Sequence, residues 1–258
     1  MKSKKDLEGL RSTLGLNIWQ IERDYLQHLF LFFLSRHDSG NFIFKGGTAL
    51  QKLYGLNRFS VDLDFTLRGI NSKPIVILEE IKKDFNNFGF NSNIKINKKK
   101  ESITSNIKIK GPLHVGTDKS ISSLKIEISM REKILTVPER KEIIPIYDDI
   151  PSYFVLIMSL EEILAEKIRA IMTRSKARDV YDIWFLLRKN VKINKEIVNE
   201  KLKFYNKSFD KKLLISNIKT IGKVWETELK PLVTFIPDFK TVSKEIEESM
   251  NRSFHKNG

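Results

Sequence analysis

The sequence predicts an α/β (α+β) chain, a sheet-containing N-terminal lobe followed by a mainly α-helical one. Three observations carry this. Residues 42–67, FIFKGGTALQKLYGLNRFSVDLDFTL, hold two strand-like segments around a glycine turn and a short helix. Apolar and polar residues alternate again at 93–97, 105–110 and 123–129. From Leu160 onward the apolar residues fall at helical spacing. A boundary near Ser159 is expected, giving domains of residues 1–158 and 159–258.

Each element follows in turn. Ile18 to Arg36 reads as an amphipathic helix, with Ile18, Ile21, Tyr25, Leu29, Phe32 and Phe33 inward and packed behind the sheet. Phe42-Ile43-Phe44 is a short apolar run that stops at Lys45, and Gly46-Gly47-Thr48 then opens a helix carrying Ala49, Leu50, Leu53 and Tyr54. From Phe59 to Leu67 one strand face takes Phe59, Val61, Leu63, Phe65 and Leu67, and the other takes Ser60, Asp62, Asp64 and Thr66. Asn71 to Phe88 is a second helix, with Pro74 in its first turn and Gly89 just past its end. Asn93–Asn97 and Ser105–Lys110 form a hairpin, Ile94 and Ile96 matched to Ile107 and Ile109, with Lys98-Lys99-Lys100 at its link as a solvated turn or an RNA contact.

In Ser123 to Ser129, Leu124, Ile126 and Ile128 face one way and Lys125, Glu127 and Ser129 the other. Between Thr136 and Tyr153, prolines 138, 145 and 151 and Asp148-Asp149 mark irregular chain joining the lobes. The helix from Leu160 to Met172 turns Leu160, Ile163, Leu164, Ile168 and Ile171 inward, with Lys167 beside that stripe. On the next helix Asp179 and Asp182 share a face, while Ile183, Trp184, Leu186 and Leu187 supply the core. Lys189 to Lys223 is helical in tendency and lysine-rich, Trp225 packs its end, and the residues after Met250 read as a frayed tail.

The chemistry lies in residues 46–64. Two Asp at i and i+2 on one strand face suit a pair of hard divalent ions, which take carboxylate and phosphate oxygens. Two glycines let backbone approach a phosphate, Thr48 can cap the helix or touch an oxygen, and the helix N-terminus favours negative charge. A glycine pair alone is usually just a turn; the combination with Asp-x-Asp points to a nucleoside triphosphate and its metals. Glu127 is the candidate third carboxylate.

Gly46-Gly47-Thr48 followed by Arg58-Phe59-Ser60-Val61-Asp62-Leu63-Asp64-Phe65 resembles the nucleotidyltransferase signature of the polymerase-beta-like superfamily, in the form used by the AbiEii/AbiGii toxin family. Leu160 to Ala170 and Thr173 to Leu187 resemble that family's two helical motifs, so the likeness covers roughly residues 42–187. The resemblance implies a nucleotidyltransferase lobe with a mixed sheet flanked by helices, and a helical lobe completing the active-site cleft. It implies catalytic roles for Asp62, Asp64, Glu127, Lys167 and Asp179, with Asp62, Asp64 and Glu127 on Mg²⁺ or Mn²⁺. Gly46, Gly47, Thr48, Ser60, Arg178 and Asp182 fall to the nucleotide, and Arg174 and Lys176 join Arg178 along a triphosphate or RNA path. On helix geometry alone, Asp179 and Asp182 also suit a helix N-terminus, favourable with its dipole or paired to arginines of the preceding segment. The family's common form has Asp where Glu127 stands, and the superfamily's usual turn is Gly-Ser. By resemblance the substrate is an NTP, the acceptor a tRNA 3′ end, and the partner an antitoxin.

Composition bounds these expectations. With 258 residues and 41% hydrophobic content the chain can bury one large core or two modest ones. The absence of cysteine excludes disulfides and thiolate metal sites. The apolar run Leu29–Leu34 is too short to span a bilayer, and Met1 to Asp6 leads into no signal-peptide core, so a cytoplasmic protein without membrane contact is expected. A net charge of +14 suits a polyanion such as RNA, although a Lys-, Asn- and Ile-rich composition also follows from AT-rich coding. Two alternatives stand beside the tRNA transferase: a GTP- or RNA-binding module without catalysis, and nucleotidyl transfer to a protein or small-molecule hydroxyl.

Overall fold

The computed structural model describes residues 1–38, 40–69 and 72–255. The chain divides into a sheet unit, Met1–Gly55 with Phe59–Ile134 and Pro138–Ile157, and a helical unit, Leu56–Arg58 with Leu135–Val137 and Met158–Gly258. The sheet unit contains α1 (Lys4–Gly9), α2 (Arg11–Leu14), α3 (Ile18–His37), β1 (Phe42–Lys45), α4 (Gly46–Tyr54), β2 (Leu63–Leu67) and α5 (Pro74–Asn87). It continues through β3 (Asn91–Lys98), β4 (Ser102–Lys110), β5 (Ser122–Ser129), β6 (Glu139–Ile143) and β7 (Tyr153–Ile157). The strands form one seven-stranded sheet in the order β3-β4-β5-β2-β1-β7-β6. It is mixed, because β2 runs parallel to β5 and β1 parallel to β7 while the remaining pairs are antiparallel.

Register explains which face is buried. Phe44 pairs with Phe65, Phe65 with Ile128 and Ile128 with Ile103, so these side chains share one face. They are fully or almost fully buried in one core with Leu29, Phe30 and Phe33 of α3 and Leu78, Ile81 and Phe85 of α5. Removing each such side chain from water contributes about 1.5–3 kcal/mol, which fixes α3 and α5 on this side and leaves the opposite face for polar residues. An Asn17–Gln20 capping box starts α3.

Several expectations change in detail. The strand expected from Phe59 begins only at Leu63. In residues 59–62 side chains replace a strand ladder: Gln27 Nε2 donates to the carbonyls of Ser60 and Val61, both at 3.0 Å, and Gln51 Oε1 accepts from the Ser60 N–H at 2.9 Å. In the hairpin Ile94 does face Ile107, but Ile96 pairs with Ser105 and Ile109 with Ser92, because antiparallel partners run in opposite directions from that pair. The supposedly irregular stretch from Thr136 contains β6, whose five residues are four-fifths charged and occupy the sheet edge, where one strand side needs no burial. The helix expected from Asn71 starts at Pro74 as α5; Asn71 itself lies outside the described residues. The expected tail after Met250 is helical as far as His255, and residues 256–258 lie outside the described residues.

The helical unit holds α6 (Leu160–Thr173), α7 (Ala177–Arg188), α8 (Lys195–Lys203), α9 (Lys211–Ile221), α10 (Trp225–Leu229) and α11 (Phe239–His255). Ile163, Leu164, Ile168, Val180, Ile183 and Leu186 are buried, as the helical spacing requires. Trp225 is 1% exposed and its indole N–H donates to the Pro237 carbonyl at 2.8 Å. Among the described residues no helix is long and apolar enough to cross a membrane.

Candidate nucleotide site

β1 ends at Lys45, and the chain enters α4 through Gly46 at φ +75°, in the left-handed region that glycine occupies without a steric cost. A Cβ at this position would stand 2.5 Å from Oδ2 of Asp64. Glycine is needed there twice, for the turn and for the close approach of a carboxylate to the start of the helix. The side chain of the N-cap residue, Lys45, makes no cap hydrogen bond, and the first turn of α4 presents backbone amides suited to an anion.

Asp64 has Lys45 of β1 opposite it on one side and Glu127 of β5 on the other. Register partners share a face on strands about 4.8 Å apart, so this acid pair sits side by side on the polar face. Leu63 and Phe65, at 0% and 1% exposure, anchor the strand, while Asp62, Asp64 and Glu127 are all partly exposed. Asp62 precedes β2 by one residue, and its carbonyl accepts from the Thr48 hydroxyl.

Thr48 is fully buried, so its hydroxyl anchors the Asp62 backbone and does not cap the helix. Gly47 is buried in the first turn, and Ser60 is buried with its backbone held by Gln27 and Gln51. Lys125 forms an ion pair with Glu127. That bond, reinforced by Asp62 and Asp64 and opposed by partial burial, raises the Lys125 ammonium above its usual range. All three carboxylates therefore act on one cation.

Among the described residues no three acidic or imidazole side chains gather around a point that could hold a metal ion. Glu127 is instead paired with Lys125. Asp62, Asp64 and Glu127 nevertheless fit a divalent cation in kind, as hard oxygen donors, and Asp64 and Glu127 fit it in placement, as adjacent residues on one face.

Lys45 also belongs to this site. Its side chain is nearly buried, lies on the face of Asp64 and forms an ion pair with Glu132. The signal was the charged residue that ends the apolar run of β1, but nothing local identified Glu132 as its partner.

The remaining candidates lie in the helical unit. Lys167 Nζ bridges Asp179 Oδ1 at 3.0 Å and Asp182 Oδ2 at 2.8 Å, and both acids are fully buried. Arg58 grips Asp182 with two bonds, Nε to Oδ1 and Nη2 to Oδ2, each 2.7 Å. Burial disfavours the charged form of Lys167, but Asp182 and Asp179 outweigh it and lift the ammonium above its usual range. Burial likewise opposes ionisation of Asp179, and Lys167 and Arg174 overcome it and hold the carboxyl below its usual range. Asp179 Oδ2 is buried without a hydrogen bond, with Arg174 at 3.4 Å. Arg178 is partly exposed, and Lys176 pairs with Glu228 at 3.3 Å. The preceding segment supplies Arg174 to Asp179, whereas the arginine on Asp182 is Arg58, which belongs to this unit though it precedes the Asp-x-Asp segment in the chain.

A family model described as nucleotidyl transferase AbiEii toxin, type IV TA system, matches residues 31–251. Among solved structures the chain is similar to JHP933 from Helicobacter pylori, at 22% identity and a TM-score of 0.58, covering 93% of this chain and 94% of that one. It is also similar to MenT4, a nucleotidyltransferase toxin from Mycobacterium tuberculosis H37Rv, at 16% identity and a TM-score of 0.66, covering 96% of this chain and 88% of that one. At these identities the structural likeness concerns the fold. No curated protein matches.

Proposed function

We propose that this chain, which belongs to the AbiEii nucleotidyl transferase toxin family of type IV toxin–antitoxin systems, transfers NMP from an NTP to an RNA hydroxyl, specifically a tRNA 3′ end. Membership makes the chain a nucleotidyltransferase toxin and implies an antitoxin partner. The RNA acceptor, the metal and the site residues are our own reading. The observation that carries the site is the register of Asp64 beside Glu127, next to the glycine start of α4.

The first-turn amides of α4 would hold the triphosphate, with the helix dipole favouring its charge. Asp62, Asp64 and Glu127 would hold Mg²⁺ or Mn²⁺, whose chemistry is to neutralise charge on the phosphate oxygens. The acceptor hydroxyl attacks the α-phosphorus: an O–P bond forms, the bond to the β-phosphate oxygen breaks and pyrophosphate leaves. Glu127 takes the hydroxyl proton. Alignment of hydroxyl and phosphorus supplies much of the rate. In the helical unit we assign substrate contact to Lys167 with Asp179 as its acid partner, and Asp182 to holding Arg58 and Lys167 in place.

The test is transfer of α-labelled ATP, GTP, CTP and UTP to total tRNA, wild type beside Asp64→Ala. Label should appear on tRNA with wild type, and the variant should lose on the order of 10³-fold, several kcal/mol of transition-state stabilisation, with an unchanged melting curve. Normal transfer by the variant would end the mechanism. Failure to label tRNA by a wild type that binds NTP would end the acceptor assignment.

A further inference from the structure

We propose that Lys45 is a phosphate-binding residue of this site and that Glu132 is its exchangeable counter-ion, so that an incoming triphosphate competes with Glu132 for the ammonium group. The inference rests on the nucleotide reading above and adds a residue and a means of setting affinity.

Lys45 stands where both halves of the site meet. Its backbone is the N-cap of α4, and its side chain shares the sheet face of its register partner, Asp64. Only 7% of the residue is exposed, and a nearly buried ammonium needs a counter-charge, which Glu132 provides. The two partners differ in how they are held. Lys45 is fixed by β1, which pairs with β2 and β7, whereas Glu132 lies in the irregular stretch between β5 and β6, outside any strand.

A triphosphate lodged on the first turn of α4 would bring several anionic oxygens within one residue of Lys45. Those oxygens can replace the Glu132 carboxylate, and a compact ammonium group suits them as a point charge. Glu132 then keeps the ammonium paired whenever nucleotide is absent, and weakens nucleotide binding by occupying it.

The experiment measures binding of a non-transferable α,β-methylene NTP with Mg²⁺ by calorimetry, alongside thermal melting, for wild type, Lys45→Met, Lys45→Arg, Glu132→Gln and the Lys45→Met/Glu132→Gln double variant. Lys45→Met should weaken binding on the order of ten- to a hundred-fold, the range for a hydrogen bond to a charged group, and Lys45→Arg should recover part of it. Glu132→Gln should tighten binding several-fold while lowering the melting temperature. In the double variant that tightening should vanish.

The opposite signs for binding and stability are decisive, since a pair that only tied the loop to β1 would weaken both together. Weaker or unchanged binding in Glu132→Gln, or unchanged binding in Lys45→Met, overturns the proposal. A wild type that binds no NTP removes the nucleotide reading and the proposal together. A wild type that binds and transfers while Lys45→Met binds normally removes the proposal alone.

Discussion

Asp182 shows how one residue can be read two ways. Its spacing from Asp179 fits a functional acid or an arginine partner equally well, and the structure supplies Arg58 in a two-bond grip with Lys167 on the second oxygen. Removing one member of a buried charged cluster leaves the others uncompensated. Asp182→Ala should therefore destabilise the chain by about 3–5 kcal/mol, read as a lower urea midpoint. Arg58→Lys keeps the charge but loses the fork, and should cost less. An unchanged midpoint in Asp182→Ala would take the clamp away from this residue. Asp64 and Glu127 were legible because alternation of two predicts a strand face directly, whereas Arg58 was not, since its partner lies 124 positions away and no local pattern reports it.

At the scale of elements, a buried polar cluster joins α3, α4 and β7 within the sheet unit. Asp24 of α3 pairs with Lys52 of α4 and accepts from the Tyr147 hydroxyl at 2.9 Å, while His28 Nδ1 lies 2.9 Å from the Tyr153 hydroxyl of β7. Burial, with Lys52 adding and Asp24 opposing, pushes His28 down to about 3 from an ordinary 6.5. Between those values the unfolded chain binds a proton that the folded His28 excludes, so stability falls as pH falls below 6.5. The loss is about 1.4 kcal/mol per pH unit, or about 2 kcal/mol by pH ~5. Urea denaturation at several pH values should show this slope in wild type, and His28→Asn should flatten it; an equal slope in both would remove His28 as its cause. The hydrophobic faces of α3 and β5 were legible from spacing. Residues 59–62 alternate like a strand yet are held by Gln27 and Gln51, because alternation records burial and not the source of the backbone hydrogen bonds.

For the whole molecule, the charge of +14 bears on the acceptor. If the acceptor is RNA, binding releases counterions and must weaken steeply with salt. Several phosphate contacts would lower affinity on the order of 10³-fold between about 50 and about 200 mM salt. Anisotropy of a labelled tRNA against salt measures this directly. A flat response would favour the protein or small-molecule hydroxyl, for which a basic surface has no purpose.

The sequence by itself determined the α/β class, the order of sheet before helices, the spacing of Asp62 and Asp64 and the family. Each is written in short-range periodicity or in a contiguous motif, where neighbouring residues decide the outcome. The tertiary structure alone decided that β5 lies beside β2 and brings Glu127 to Asp64. It alone paired Lys45 with Glu132 and Arg58 with Asp182, and built the edge strand β6 from a charged segment. These pairings join residues far apart in the chain, and a buried charge is tolerated only where a partner from another segment meets it, which no local pattern encodes.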